Sequence, residues 1–271
     1  MKQVLLEFFG KIGTHFTKLG DNFAKNIAFV FTFFGIIAAL FLIAVALEKI
    51  AQKRQGVKER IFTTRKMAMV GMFSALATIL MLIEIPLFFA PSFYKLDFSE
   101  LPILIGTFAF GPAAGVMMEF LKIVLKLFVK GTSTAFVGEL ANFAVGCSLV
   151  LTASVIYNFK KTKKGALAAC LIGTVVLTVF GTAFNAVYLL PTFAKMYNMP
   201  LEGLLAMGSA VNPLVKEGSI LSFVAVCVAP LNLIKGLANS IIVLLVYKPL
   251  SPVLKGEVKH SKRKEVASEN A

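Results

Sequence analysis

The chain has 271 residues, 58% hydrophobic and only 15% charged, and a mean hydropathy of +0.82. That balance excludes an ordinary soluble globular domain and identifies an integral membrane protein. The net charge of +14 would fit a nucleic-acid partner, but seven basic residues lie between Lys49 and Lys66, four at 160–164 and six between Lys248 and Lys264. These groups can all face one side of a bilayer, so the positive-inside rule accounts for the excess and no nucleic acid is expected. Basic-tail contact with anionic lipid is a minor addition. Cys147, Cys170 and Cys227 sit in apolar runs without CxxC spacing, which fits small buried hydrophobes and neither a disulfide framework nor a metal site.

Residues 1–25 place Leu5, Phe8, Phe9, Ile12, Phe16, Leu19 and Phe23 at helical spacing between charges, which predicts an amphipathic helix lying in the interface. A signal peptide is the competing reading. The following apolar run is long enough to span and no small-residue cleavage site follows it, so 26–48 is read as a transmembrane helix. A basic cytoplasmic linker is expected over 49–66.

A six-helix membrane domain is expected over 67–250, from apolar runs at 67–85, 101–110, 113–129, 135–158, 166–190 and 229–247. The run 101–110 has about half the ~20 residues that a span requires. Gly111-Pro112 suits a hairpin between helices. The piece 220–228 is too short to span and reads as a re-entrant or lid segment. A basic cytoplasmic tail completes the chain over 251–271. The fold expected is thus an all-α membrane bundle of six helices, plus one extra N-terminal transmembrane helix and the amphipathic helix. The basic groups put the N-terminus outside and the C-terminus in the cytoplasm, with loops 86–98, 130–134 and 191–217 facing outward.

This topology sorts the intramembrane polar residues by depth. Glu139 with Asn142, Asn185 with Tyr188, and Asn232 with Lys235 are each three residues apart, share a helix face and lie near an outer helix end. Lys126 and Lys130 fall at the same level, below the loop carrying Tyr94, Lys95, Leu96 and Asp97. A charge at bilayer depth costs at least ~2.5 kcal/mol, so such residues need partners, water or a ligand. Helix-to-helix hydrogen bonding is the plain alternative for any one of them; three helices presenting Asn at matching depth favour one outward-opening pocket. Amides, hydroxyls, ammonium groups and Phe there suit a flat heteroaromatic ligand with a polyol arm, although another polar vitamin remains open. Glu119 and Lys122 are expected to form an intrahelical ion pair, and Glu84 to be a solvated interface residue.

Ala68, Gly71 and Ala75 form a small-residue stripe on the second helix, which fits docking of a partner helix or close packing within the bundle. No GxxxxGK[ST] loop occurs, so ATP-driven work would fall to other subunits. A membrane-embedded enzyme using Glu119 or Glu139 as base is disfavoured, because no paired carboxylates, HExxH motif or nucleophile elbow is present. A stand-alone ion-coupled carrier is a further alternative.

The segments KLDFSELPILIGTFAFGPAAGVMMEFLK, GTSTAFVGELANF, FNAVYLLP and APLNLIKGLANSIIVLLVYKPLSP together resemble the riboflavin-specific S component of energy-coupling factor (ECF) transporters, over about 64–254. The resemblance implies a high-affinity vitamin-capture subunit that topples in the membrane when coupled to a transmembrane T component and two cytoplasmic ATPases. No cofactor is implied; riboflavin is the transported ligand. It also implies that Asn232 and Lys235, Asn185 and the segment from Tyr94 to Asp97 hold the ligand, and that Ala68, Gly71 and Ala75 face the T component. Lys95, Lys126 and Lys130 would tolerate a phosphate, so the choice between riboflavin and its phosphorylated form stays open. Residues 1–60, with their extra helix, depart from the six-helix family plan.

Overall fold

The computed structural model describes residues 27–56, 60–132, 134 and 136–255. The amphipathic helix expected over 1–25 and the tail beyond 255 lie outside these residues.

Helix α1 spans Ile27–Gln55, 29 residues, or ~43 Å at 1.5 Å per residue, longer than the ~30 Å hydrocarbon core. Helix formation continues past the apolar run into the expected linker because Lys53 and Arg54 suit the negative end of the dipole. Gly56 then ends it at φ +66°. Helix α2 spans Thr64–Leu82 and is capped by Thr63, whose hydroxyl accepts from the Lys66 N–H at 3.2 Å. It buries Val70, Phe73, Ser74, Ala77, Thr78 and Met81 at three- and four-residue spacing. Ser74 and Thr78 donate to Val70 O and Ser74 O, so neither hydroxyl enters the apolar interior unpaired. A short antiparallel ribbon follows, β1 (Ile85–Pro86) with β2 (Lys95–Leu96), in register Ile85 to Leu96.

Helix α3, Glu100–Phe110, has 11 residues and nine of them are buried. It lies in the middle of the bundle among α2, α4 (Pro112–Lys130), α5 (Val137–Phe159) and α10 (Ala229–Lys255). That position explains why a helix too short to span is stable: its ends meet protein and not lipid. Gly111, at φ +97°, turns the chain, and Pro112 opens α4 where its missing N–H costs nothing.

Helix α6, Lys163–Phe184, runs through a π-helical turn, Asn185–Leu189, into α7, Leu190–Met196. Helix α8, Leu201–Val211, packs Leu204 and Leu205 with Ala90, Leu190 and Phe223. Helix α9, Ile220–Phe223, continues through a second π-helical turn, Val224–Val228, into α10. The piece 220–228 is therefore the start of the last span, Ile220–Tyr247, and not a re-entrant segment. Each π turn has one cause. Proline gives no N–H to the carbonyl four residues back and crowds it. Pro191 and Pro230 stand opposite the carbonyls of Val187 and Val226, each inside a π turn, and the two turns touch.

Among the described residues, five helical segments are long and apolar enough to cross a membrane: Phe31–Gln55, Thr64–Leu82, Val137–Phe159, Lys163–Met196 and Ile220–Tyr247. Helix α4, with 19 residues, adds a sixth full-length helix that carries four charges on an apolar frame. With the central α3, these make a six-helix bundle with α1 packed against α4 and α5. The end of α1 and the end of α5 meet at one end of the bundle, where Arg54 lies over Phe159 and Gln55 donates to Asn158 O. The opposite end holds a cavity.

Candidate ligand site

The cavity has a volume of about 520 Å³, inside the roughly 300–1,000 Å³ range of small-molecule sites. Its walls come from the loop before α3, the end of α4 with 131–134, the first turns of α5, the first π turn with α7, α8 and the start of α10. Of the residues singled out in the sequence, Tyr94, Asp97, Glu139, Asn142, Asn185, Asn232 and Lys235 all line it, as do Lys126 and Lys130.

Two do not. Leu96 is buried on β2 outside the cavity wall. Tyr188 stacks on Phe184, with ring centroids 5.1 Å apart, and packs towards the cluster formed by Phe33, Val116 and Phe143. The pairing of Asn185 with Tyr188 assumed regular α-helical spacing; the π turn widens that turn and carries Tyr188 off the shared face.

The polar groups are held in order. The Tyr94 hydroxyl donates to Asn185 Oδ1 at 2.7 Å, and Asn185 Nδ2 donates to Gly181 O at 2.7 Å, so the amide orientation is fixed from both sides. Burial pushes the Tyr94 phenol well above its ordinary range, which keeps it a donor. Asn232, 4% exposed, has its Nδ2 buried without a hydrogen-bond partner, an arrangement that costs ~1–3 kcal/mol unless a ligand or water accepts from it. Gly181 makes room for this side chain: a Cβ there would lie 2.7 Å from Asn232 Nδ2.

Lys235 enters the floor from α10 and meets Asp97 Oδ2 at 3.1 Å and Glu100 Oε2 at 3.0 Å. Behind it, Lys122 meets Glu100 Oε1 at 3.3 Å and Glu119 Oε2 at 2.6 Å, so the expected Glu119–Lys122 pair belongs to a longer chain of charges. Glu119 fits against α5 because Gly146 has no Cβ; one would stand 2.7 Å from the carboxylate. Every member is at most 7% exposed; mutual pairing is what offsets the several kcal/mol of desolvation that each isolated ion would carry.

Around the mouth, Glu139 pairs with Lys126 and accepts from Thr132 and Thr134 at 2.9 and 3.1 Å. Glu84 bridges Lys95 of β2 and Lys130 at the end of α4 and also lines the cavity, so it is a tie between loops and not merely solvated. Partial burial disfavours its charged form, but Lys130 and Lys95 outweigh that and hold its carboxyl below the ordinary range. Phe93, Tyr94, Phe193 and Tyr197 supply aromatic walls. The arrangement offers donors, acceptors and ring faces to a neutral, partly aromatic small molecule. Among the described residues no group of His, Cys, Asp and Glu could hold a metal ion.

Sequence reasoning missed Ser99, Glu100, Phe93, Phe193 and Tyr197. Glu100 carried a signal, a charge at the head of a very apolar run that needs a partner or a ligand, but the sequence does not say which. The stripe residues Ala68, Gly71 and Ala75 are exposed, beside exposed Met72, Leu76 and Ile79.

Comparison with known proteins agrees with this architecture. A family model described as the substrate-specific component of ECF transporters matches residues 65–247. Riboflavin transporter RibU of Staphylococcus aureus (strain TCH60) is 34% identical over 192 residues, covering 70% of this chain and 93% of that protein. Riboflavin transporter FmnP of Bacillus subtilis (strain 168) is 28% identical over 189 residues, covering 69% and 93% respectively. A solved structure of the S component of a bacterial ECF transporter superposes with TM-score 0.54 at 31% identity, covering 70% of this chain and 97% of its own. The chain therefore belongs to the family of substrate-specific components of ECF transporters.

Proposed function

We propose that the chain captures riboflavin with high affinity at the outer face of the cell membrane and delivers it by working with a T component and two cytoplasmic ATPases. In this reading Asn232, Lys235, Asn185, Tyr94, Asp97, Glu139 and Asn142 surround the ligand. The N-terminus is outside, the cavity end is extracytoplasmic, and the opposite end, with the C-terminus, faces the cytoplasm. The carrying observation is the cavity itself, where amides, a phenol, an ammonium and aromatic rings from separate helices converge. A flavin presents what these groups require: carbonyls and ring nitrogens for Asn232 and Lys235, a flat face for the aromatic walls, and a polyol arm for carboxylate and hydroxyl groups. The names of the S. aureus and B. subtilis relatives support the choice of ligand. Lys95, Lys126 and Lys130 are each paired with a carboxylate, which favours riboflavin over its phosphorylated form.

The exposed stripe Ala68, Gly71 and Ala75 is the proposed docking face for the T component; a Cβ on Gly71 would meet nothing within 4 Å, so a helix backbone can approach there. Riboflavin added to the purified chain in detergent is expected to lose its fluorescence stoichiometrically. Absence of quenching up to micromolar riboflavin would refute the ligand assignment.

A further inference from the structure

Lys235 lines the cavity from α10, and it is paired with a group that does not itself line the cavity. Glu100 is 1% exposed and does not line the site, yet its Oε2 lies 3.0 Å from Lys235 Nζ. Asp97 Oδ2 is 3.1 Å from the same Nζ. An ammonium has three N–H donors. Asp97 accepts one of them, and Glu100 pairs with the ammonium from a second side, which restricts where the remaining donors can turn.

Glu100 is itself held in place. Its Oε1 accepts from Lys122 Nζ at 3.3 Å and its Oε2 from the Ser99 hydroxyl at 3.2 Å. Lys122, 0% exposed, donates also to Ser99 Oγ at 3.2 Å and is paired with Glu119 at 2.6 Å. Lysine carries its charge on a flexible four-carbon stem, and one partner would leave that stem free to rotate about the contact. A second carboxylate, anchored through a buried lysine, removes that freedom.

We propose that Glu100 and Lys122 are positioning residues for ligand recognition: they aim the remaining N–H of Lys235 at a single acceptor atom of the ligand, so the site accepts a carbonyl or ring nitrogen there and rejects a donor. This rests on the riboflavin reading above. The ligand itself touches neither residue. Their effect on binding passes through Lys235.

The test is riboflavin titration of the purified full-length chain by fluorescence quenching, for wild type, Glu100→Gln, Ser99→Ala, Lys235→Met and the double variant Glu100→Gln/Lys235→Met. Glu100→Gln keeps the shape and removes the charge; it is expected to weaken binding about tenfold, the scale of one charged hydrogen bond. Ser99→Ala removes only the hydroxyl joining Glu100 to Lys122 and should weaken it about threefold. In the Lys235→Met background, Glu100→Gln should cause no further loss, because the group it positions is gone. An equal loss in both backgrounds indicates a merely structural role and overturns the proposal, as does wild-type affinity in Glu100→Gln. Should Glu100→Gln fail to fold, Ser99→Ala decides, and unchanged affinity there overturns it. A wild-type chain that does not bind riboflavin refutes the flavin reading and this inference together; a wild type that binds beside an unaffected Glu100→Gln refutes this inference alone.

Discussion

Gly181 offers a test of the site that truncates no cavity-lining side chain. It lies on α6 behind Asn232, and its carbonyl accepts from Asn185 Nδ2. A Cβ added there would stand 2.7 Å from Asn232 Nδ2, 3.1 Å from Cγ and 3.3 Å from Oδ1. The first distance is short of van der Waals contact by more than half an ångström, so Gly181→Ala must displace the Asn232 amide. Helix propensity works the other way, since Ala is favoured over Gly in a helix interior by ~1 kcal/mol. Stability should hold while recognition suffers. If the displaced amide loses one hydrogen bond to the ligand, worth ~1–3 kcal/mol, affinity falls roughly 5- to 100-fold. Fluorescence titration gives the affinity and a thermal melt of the apo protein gives the stability. A variant that melts at or above the wild-type temperature and binds riboflavin as tightly would show that the position of Asn232 does not matter, and the assignment of Asn232 to the ligand would fall with it.

Truncating the polar groups directly should weaken binding more simply: Asn232→Ala and Lys235→Ala are each expected to raise the riboflavin Kd more than tenfold, or ~1.4 kcal/mol, and an unchanged titration would remove that residue from the site. Gly71→Leu meets nothing in the isolated chain, so it should leave affinity and melting temperature alone yet abolish ATP-driven uptake in cells that supply the T component and ATPases; normal uptake there contradicts the docking role. Glu84 has a carboxyl pKa held below the ordinary value by Lys130 and Lys95 against the effect of burial. Its contribution is therefore present above the unfolded carboxylate pKa of about 4.3 and lost as pH falls through the lower folded value. The difference in melting temperature between wild type and Glu84→Gln should stay constant from about pH 8 to 6 and shrink only as pH drops below about 4; a difference that vanished by pH 6 would contradict the tie.

The convergence of Asn185, Asn232 and Lys235 was legible because it needed only depth, and depth follows from where the basic groups lie and how long each apolar run is. What was not legible depended on features that hydropathy does not encode. Two prolines, Pro191 just after the run 166–190 and Pro230 at the start of the run 229–247, each widen a turn, which moves Tyr188 off the face shared with Asn185 and merges 220–228 into the last helix. The partner of Glu100 was not legible because nothing in a linear sequence brings Lys235 of α10 to within 3.0 Å of it. Helix α3 looked marginal at half a span's length, and its stability comes from being surrounded by four other helices. In each case the missing information was tertiary.

The same is true of α1, which lies before the family match at 65–247 and yet is built into the bundle. Glu48 on α1 is 5% exposed, and its carboxylate accepts from the Ala113 N–H at 3.1 Å and pairs with Lys66 at 3.4 Å. The first N–H groups of a helix have no internal partner and carry partial positive charge. Pro112 has no N–H to satisfy, so Ala113 is the first residue of α4 that needs an acceptor, and Glu48 supplies it from another helix. Room for the carboxylate comes from Gly111, where a Cβ would lie 2.8 Å from Glu48 Oε2. At the end of α1, the Arg54 guanidinium sits 5.1 Å above the Phe159 ring and Gln55 donates to Asn158 O, both at the end of α5. Withdrawing α1 would take Glu48 with it and leave the buried Ala113 N–H without an acceptor, a cost of ~1–3 kcal/mol. The helices it grips, α4 and α5, carry Lys126, Glu139 and Asn142 at their other ends, so α1 is a structural part of the unit that holds the cavity and not a tether beside it.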